Sequence, residues 1–280
     1  MNVVESVSDV RRIRWQDPRL SWGLAPTLGG LHEGHLSLVR RAKAENDHVG
    51  VSLFLNPTQF APHEDLSKYP QRRERDLEML KSEGVDLVWA PPVEEVYPSG
   101  FQTYVNVEEV TKLLEGASRP THFRGVTTVV AKILNVFQPT RAYFGQKDAQ
   151  QVVVIQRMVQ DLNFNVQMVI CPTVREPDGL AMSTRNAYLN PAQRQAATVL
   201  YRALQAAQAQ WQQGVRDAEA LCHAMKAVIK KEPLARLDYV SAADPQTLKE
   251  LQGPVSKALL SLAVYIGSTR LIDNLLLETN

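Results

Sequence analysis

The chain has 280 residues, 44% hydrophobic and 22% charged, with a formal net charge of +1 at neutral pH. This length allows one large or two modest domains, and this composition excludes a disordered chain. A charge balance so near zero gives no support for nucleic acid or an anionic membrane as a bulk partner, so any basic site must be local.

The two cysteines, Cys171 and Cys222, have no paired spacing. Two buried free thiols in a reducing cytosol are therefore expected, rather than a disulfide framework or a zinc cluster. The first fourteen residues lack the apolar run of a signal peptide, and no segment reaches the length needed to span a bilayer. A cytoplasmic protein is expected.

In chain order, residues 21–27 read as a strand that runs into Leu28-Gly29-Gly30-Leu31-His32-Glu33-Gly34-His35, and residues 36–45 continue as a helix. Residues 48–55 form a near-continuous apolar run, as a parallel strand buried on both faces would. Residues 66–83 are charged and helical in pattern, and residues 85–90 form another short strand. Residues 126–137 suit a buried helix stopped by Gln138-Pro139, followed by a strand at 141–144, a helix at 150–162 and a strand at 166–170. Strands alternating with helices predict an α/β fold: a Rossmann-like parallel sheet with helices on both faces. The pattern changes near residues 172–177. Two Ala- and Gln-rich helices split around Gly214 follow, then a strand at 237–240 and a hairpin of 258–266 and 269–277 turning at Gly267-Ser268. A smaller C-terminal α+β domain is expected, with domains at 1–173 and 174–280.

Ligands of open parallel sheets bind beyond the carboxyl ends of the strands, and four polar clusters fall at or near such ends. In the first, Gly29 and Gly30 allow close backbone approach, and a helix start offers N–H groups and a positive dipole end to phosphate. His32 and His35 lie on nearly the same side of that helix; a turn with two surface histidines is the plain alternative. Their i, i+3 spacing excludes the zinc-protease pattern, which needs i, i+4. The second cluster is Asn56-Pro57-Thr58-Gln59-Phe60, where Gln59 offers a donor and an acceptor; taken alone, the segment reads first as a capped loop. The third is Gly145-Gln146-Lys147-Asp148 with Gln151 one turn on. Lys147 can neutralise phosphate, and Asp148 can bind a ribose hydroxyl or a metal, or simply cap a helix. The fourth is Met182-Ser183-Thr184-Arg185-Asn186 after Arg175-Glu176-Pro177-Asp178-Gly179. Its serine and arginine can clamp a leaving pyrophosphate, or belong to an ordinary linker.

Taken together, PTLGGLHEGHLSLV, SLFLNPTQF, EDLSKYP, HFRGVTTVVAKILNVFQP, FGQKDAQQ and REPDGLAMSTRNAYL resemble the pantothenate synthetase (pantoate–β-alanine ligase) family over nearly the whole chain. That family belongs to the nucleotidylyltransferase group with HIGH and KMSKS motifs; HEGH stands for the first and MSTR for the second. The resemblance implies an ATP-dependent ligase that joins pantoate to β-alanine through a pantoyl adenylate, with Mg²⁺ on the phosphates, in a cytoplasmic homodimer whose C-terminal domain acts as a lid. It implies an ATP site from Leu28, Gly29, Gly30, Leu31, His32, Glu33, Gly34, His35, Gly145, Gln146, Lys147, Asp148, Val174, Met182, Ser183, Thr184 and Arg185. Gln59 and Gln151 would contact pantoate, and Gln59 would border β-alanine. The catalytic candidates are His32, His35, Lys147, Ser183 and Arg185. The family role of the position matching His35 is proton donor; adenylation itself asks only for a hydrogen-bond donor to phosphate.

The chain departs from the family pattern at Leu28 (usually Met), Gly30 (usually a residue with a side chain), Gln71 (often Arg), Gln146 (often Glu) and Thr184 (usually Ser). None of these removes a candidate catalytic group. A nucleotidylyltransferase acting on another small substrate is the alternative, and Gln59 and Gln151, suited to a small hydroxy acid, argue against it. A non-catalytic nucleotide-binding module would not need the histidines, Lys147 and Arg185.

Overall fold

The computed structural model describes residues 1–61 and 64–279. Up to residue 171 the elements run β1 (Asn2–Val4), α1 (Val7–Arg14), β2 (Trp22–Thr27), α2 (Glu33–Glu45), β3 (His48–Leu53), α3 (Arg73–Ser82) and β4 (Leu87–Trp89). They continue with α4 (Val93–Val96), α5 (Glu115–Ser118), α6 (His122–Phe137), β5 (Arg141–Gly145), α7 (Ala149–Asp161) and β6 (Gln167–Cys171). Six parallel strands form one sheet in the order β1-β4-β3-β2-β5-β6. The Rossmann-like sheet expected from the alternating pattern is present, extended by the three-residue β1, which is too short to register as a periodic signal.

The strand order reverses at β2: β3 and β4 lie to one side of it, β5 and β6 to the other. Thr27 pairs with Leu53 and Leu24 with Ala142, so β2, β3 and β5 deliver their carboxyl ends to one edge. Leu24, Val49, Val51, Val88 and Ala142 are fully buried, which explains the near-continuous apolar runs of the central strands.

Local chemistry shifts some boundaries. Residues 66–83 do not form one helix: Leu66–Lys68 is a 3-10 turn and α3 begins at Arg73. Pro70 forces the preceding residue out of the helical region, and Tyr69 is extended (φ −60°, ψ 127°). Helix α6 starts at His122 and ends on Gln138 in the left-handed region (φ 42°) before Pro139. Cys171 is buried as expected, whereas Cys222 is only partly covered.

The chain divides into two compact units, the first Met1–Lys112, Gly116–Gly145 and Val154–Pro172, the second Leu113–Glu115, Gln146–Val153 and Thr173–Asn280. The second contains α8 (Pro191–Ala196), α9 (Val199–Gln212), α10 (Ala218–Ile229) and the strands β7 (Ala235–Ala243), β8 (Lys257–Ile266) and β9 (Thr269–Glu278). These strands form an antiparallel sheet in the order β7-β8-β9. Ile266 pairs with Thr269 around Gly267 (φ +60°), giving the expected two-residue hairpin. Ala203 and Ala207, one turn apart on α9, are fully buried in a core with Leu204, Leu221, Met225 and Leu262. The small alanines let neighbouring backbones come close. No helix among the described residues is long and apolar enough to cross a membrane.

A single cut after residue 173 misses two short segments that group with the second unit. Long-range polar contacts are the reason. The Glu115 carboxylate accepts from both terminal nitrogens of Arg270 (2.5 and 2.9 Å) and from the Tyr239 hydroxyl (2.9 Å). Arg270 also donates to Asp238 (2.8 Å). Burial, reinforced by the Glu115 charge beside it, holds the Tyr239 phenol far above its usual pKa, so it stays a donor. Gln150 completes the tie, accepting from the Glu115 N–H (2.8 Å) and donating to the Leu113 carbonyl (2.7 Å).

Replacing Arg270 by Met leaves Glu115 covered without its cation. The expected loss is about 2–3 kcal/mol, below that for a fully buried pair because the guanidinium keeps some solvent contact. Urea unfolding of Arg270→Met measures it; an unchanged midpoint would mean that the pair does not anchor the segment.

Candidate active site

In the first unit, β2 ends at Thr27 and the chain enters the double-glycine turn. Gly29 and Gly30 both have positive φ (89° and 64°), a region that side chains disfavour. The turn is held by Asp76 of α3, which is 2% exposed. Its two carboxylate oxygens accept from the N–H groups of Gly30 (2.8 Å) and Leu31 (2.9 Å). A Cβ on Gly29 would stand 3.3 Å from the same carboxylate. Two N–H donors that a glycine turn would offer to phosphate are thus engaged by the protein's own anion.

The histidines do more than share a helix side. His32 is the N-cap of α2, with extended backbone (φ −142°, ψ 174°), and its Nδ1 accepts from the Gly34 N–H (3.1 Å). His35 reaches back, its Nδ1 accepting from the His32 N–H (3.3 Å). The ring centroids lie 4.0 Å apart. A ring nitrogen that accepts a backbone N–H carries no proton, so this reciprocal cap places the proton of each neutral imidazole on Nε2. Both rings are fixed as Nε2–H donors. Glu33 is exposed and ion-paired with Arg40, so its side chain serves the helix surface.

Beyond β3, Gln59 is 7% exposed in the 3-10 turn Pro57–Gln59. Fully buried Asn56 organises this turn. Its Oδ1 accepts from the Thr58 N–H (3.3 Å) and from the hydroxyls of Thr58 and Tyr97 (both 2.9 Å). Its Nδ2 donates to the Gln59 Oε1 (3.0 Å) and the Gly125 carbonyl (3.2 Å). With Oε1 held by Asn56, the Nε2 end of Gln59 is the end oriented to donate elsewhere. The Gln59 carbonyl is bonded by His122 Nδ1 (2.8 Å) and by Arg119 (3.3 Å). Gly125 of α6 permits this packing, since a Cβ there would stand 2.4 Å from the Thr58 carbonyl oxygen. Arg119 is also paired with Glu64. Burial works against ionisation of Glu64, but the hydrogen bond and charge of Arg119 outweigh it and lower its pKa. Burial raises the Tyr97 phenol, keeping it a donor to Asn56.

In the second unit, Gln146–Asp148 form a 3-10 turn ahead of α7. The Lys147 ammonium lies 3.2 Å from Asp148, and both are partly exposed. Neighbouring glutamines are told apart by their contacts. Gln150 spends both ends of its amide on backbone, whereas Gln151 is only partly covered. Val174 and Met182 sit side by side: the Met182 N–H donates to the Val174 carbonyl (3.0 Å), closed by an antiparallel bridge between Arg175 and Ala181. Ser183 caps the following turn, its hydroxyl accepting from the Arg185 N–H (3.3 Å), and Asn186 donates to the Ala181 carbonyl (3.1 Å). The candidates Gln146, Lys147, Asp148, Gln151, Val174, Met182, Ser183, Thr184 and Arg185 all belong to this unit. Leu28 to His35, Gln59 and Gly145 belong to the first.

Sequence reasoning placed Asn56 in the loop cluster without its organising role, and missed Asp76 and the pair Arg119 and His122. A signal for Asp76 existed: it stands one turn before Leu80 on the buried stripe of an otherwise charged helix. Arg119 and His122 make contacts across long sequence separations and leave no local pattern.

Comparison with known proteins adds to this geometry. The sequence model of a family described as pantoate-beta-alanine ligase matches residues 2–276. The pantothenate synthetase of Roseiflexus castenholzii is 59% identical over 278 residues, covering 99% of this chain and 100% of that protein. A crystal structure of pantothenate synthetase from Thermus thermophilus superposes with a TM-score of 0.94 at 48% identity, over 98% of this chain and 99% of that one. The pantoate-beta-alanine ligase of Francisella tularensis, complexed with beta-gamma ATP and beta-alanine, gives a TM-score of 0.82 at 35% identity, over 100% of this chain and 99% of that one.

Asp76→Asn replaces one of the two accepting oxygens, each of which holds one N–H group, with an NH2 group that cannot accept. Loss of a charge-assisted bond is worth about 1.5–3 kcal/mol. The expected result is a lower urea midpoint together with an ATP KM raised by about tenfold or more, as the turn relaxes. Parental values of both would show that the carboxylate does not set the turn.

Proposed function

We propose a division of labour among the residues of this chain, which belongs to the pantoate-beta-alanine ligase family. Its reaction is the ATP-dependent condensation of pantoate with β-alanine to pantothenate, AMP and pyrophosphate. A carboxylate is a poor electrophile, so it is first activated. A pantoate carboxylate oxygen attacks the α-phosphorus of ATP, the bond to the bridging oxygen breaks, and pyrophosphate leaves with the electron pair. The amine of β-alanine then attacks the acyl carbon of pantoyl adenylate. The acyl carbon–oxygen bond breaks, AMP departs, and the amine gives up its proton.

The first step brings one anion to another, so the site must supply positive charge and donors. The paired Nδ1 acceptor geometry of His32 and His35 carries this assignment: both imidazoles are held as Nε2–H donors at the start of a helix whose dipole also favours anions. His35 therefore acts as a hydrogen-bond donor to the α-phosphate. A pantoate carboxylate is already ionised at neutral pH and needs no base. Lys147 neutralises phosphate charge, and Ser183 and Arg185 bind the departing pyrophosphate. Gln59, its side-chain Oε1 occupied by Asn56, donates through Nε2 to pantoate and borders β-alanine. Gln151 is the second pantoate contact.

Among the described residues no three His, Cys, Asp or Glu side chains gather as a metal cage. Mg²⁺ keeps waters and phosphate oxygens and takes only one or two carboxylates. Asp148 would hold it, and the ion would supply further neutralisation of the triphosphate. A cytoplasmic location and a homodimer complete the proposal, both resting on family membership. Light scattering on the purified protein is expected to give twice the 31.3 kDa chain mass; a single-chain mass would refute the dimer.

The decisive assay is AMP release from ATP with pantoate and β-alanine supplied together and singly, alongside pantoate-dependent ATP–pyrophosphate exchange. Both substrates are needed for AMP release, and pantoate alone supports exchange. His35→Ala is expected to keep the fold and lose about 10²–10³ in exchange rate, the usual worth of one placed donor. Exchange within a few-fold of the parent would remove His35 from the catalytic set.

A further inference from the structure

Strand β9 carries two consecutive polar residues, Asp273 and Asn274, which are 3% and 5% exposed. A buried polar pair in the middle of an apolar strand is costly unless fully bonded. Successive strand residues face opposite sides of the sheet. Asp273 shares a side with Leu271 and Leu277 of the helix-packed core, and Asn274 shares the other with Arg270.

The Asn274 side chain bonds to the turn that carries Lys147, and its backbone N–H to its own neighbour. Its Nδ2 donates to the carbonyls of Gln146 (3.0 Å) and Lys147 (2.8 Å), and its Oδ1 accepts from Gln146 Nε2 (3.2 Å). Its backbone N–H donates to Asp273 Oδ1 (2.8 Å). The Asp273 carboxylate in turn accepts both terminal nitrogens of Arg175 (2.6 and 3.0 Å). Arg175 also donates to the Gly179 carbonyl (3.1 Å) and lies 4.0 Å over the Tyr201 ring, and it opens the segment that Met182 closes. One dipeptide thereby ties down both candidate nucleotide segments of the second unit.

We propose that Asn274 is a positioning residue that sets the Lys147 ammonium through the Gln146 and Lys147 carbonyls, with Asp273 fixing the 174–182 segment beside it through Arg175. Gln146 fits this arrangement, since its amide Nε2 donates to the Asn274 Oδ1, which a carboxylate could not do. The proposal rests on the role given above to Lys147.

A double-mutant cycle in pantoate-dependent ATP–pyrophosphate exchange tests it, with thermal unfolding of each variant recorded in parallel. Asn274→Asp keeps the size but sets a carboxylate against two carbonyl oxygens. Asn274→Ser is the milder variant, keeping one donor, and serves if the first fails to fold. In the parent background each variant is expected to lower exchange kcat by about 10–100-fold, as misplacement of a reacting group does. The KM for pantoate should stay within about twofold. In a Lys147→Ala background the same variants should change exchange by less than about twofold, because the group they position is gone. Equal factors in both backgrounds, or parental exchange in Asn274→Ser and Asn274→Asp, would overturn the positioning role while leaving Lys147 in place. Parental exchange in Lys147→Ala alone would instead remove Lys147 from the mechanism and this proposal with it.

Discussion

The reversal of strand order at β2 is the constraint on which the first unit depends. Crossovers in a parallel sheet are right-handed, so a chain that builds outward through β3 and β4 and then returns to β5 must leave its loops diverging at β2. That crevice lies at the carboxyl edge, and the pairing of Thr27 with Leu53 starts the loops after β2 and β3 at the same level. The paired histidines and Gln59 consequently leave one sheet edge, one strand apart. No side-chain chemistry is needed to explain their common edge. The backbone topology supplies it, and buried aliphatic residues in β2, β3 and β5 stabilise it.

Local chemistry then decides what each loop can offer. A glycine turn leading into a helix is ordinarily a source of backbone donors for phosphate. Here Asp76 engages two of those donors, and a carboxylate competes with a phosphate for the same N–H groups. In the proposed mechanism the anion-facing role passes to the imidazoles, whose Nδ1 atoms satisfy backbone donors and whose Nε2–H edges are set by that act. The helix cap and the donor array are one structure. Sequence spacing suggested the pair of rings but gave no tautomer, because the tautomer depends on φ and ψ at His32.

Much of the fold was legible because its signals are local. The apolar runs at β2, β3 and β5, the amphipathic pattern of α7 and the Gly267-Ser268 hairpin need only neighbouring residues to specify them. What escaped the sequence was long-range or very short. Strand β1 has three residues, and the break at Tyr69 follows from Pro70 within a segment whose charge pattern alone reads as one helix. The regrouping of Leu113–Glu115 and Gln146–Val153 depends on Arg270, Tyr239 and Asn274, more than a hundred residues away in the case of Glu115. Motif order indicated the candidate site, while the residues that hold it were hidden because a hydrogen bond between distant segments has no periodicity.

Burial separates residues that sequence alone treats as equal. Gln150 and Gln151 are adjacent and chemically identical, yet Gln150 spends its carbonyl on the Glu115 N–H and its amide on the Leu113 carbonyl, leaving little capacity for a ligand. Asn56 and Gln59 divide in the same way: Asn56 uses both ends within its own loop and against Gly125, and thereby turns one end of Gln59 toward other partners. The amide with every bond made internally fixes geometry, and the amide with one end held is aimed. Since an unsatisfied buried amide costs about 1–3 kcal/mol, loss of the internal member of each pair falls on folding stability, while the proposed roles of Gln59 and Gln151 fall on substrate. Substitutions at the two kinds of position should therefore separate in what they change, stability at Asn56 and Gln150, substrate handling at Gln59 and Gln151.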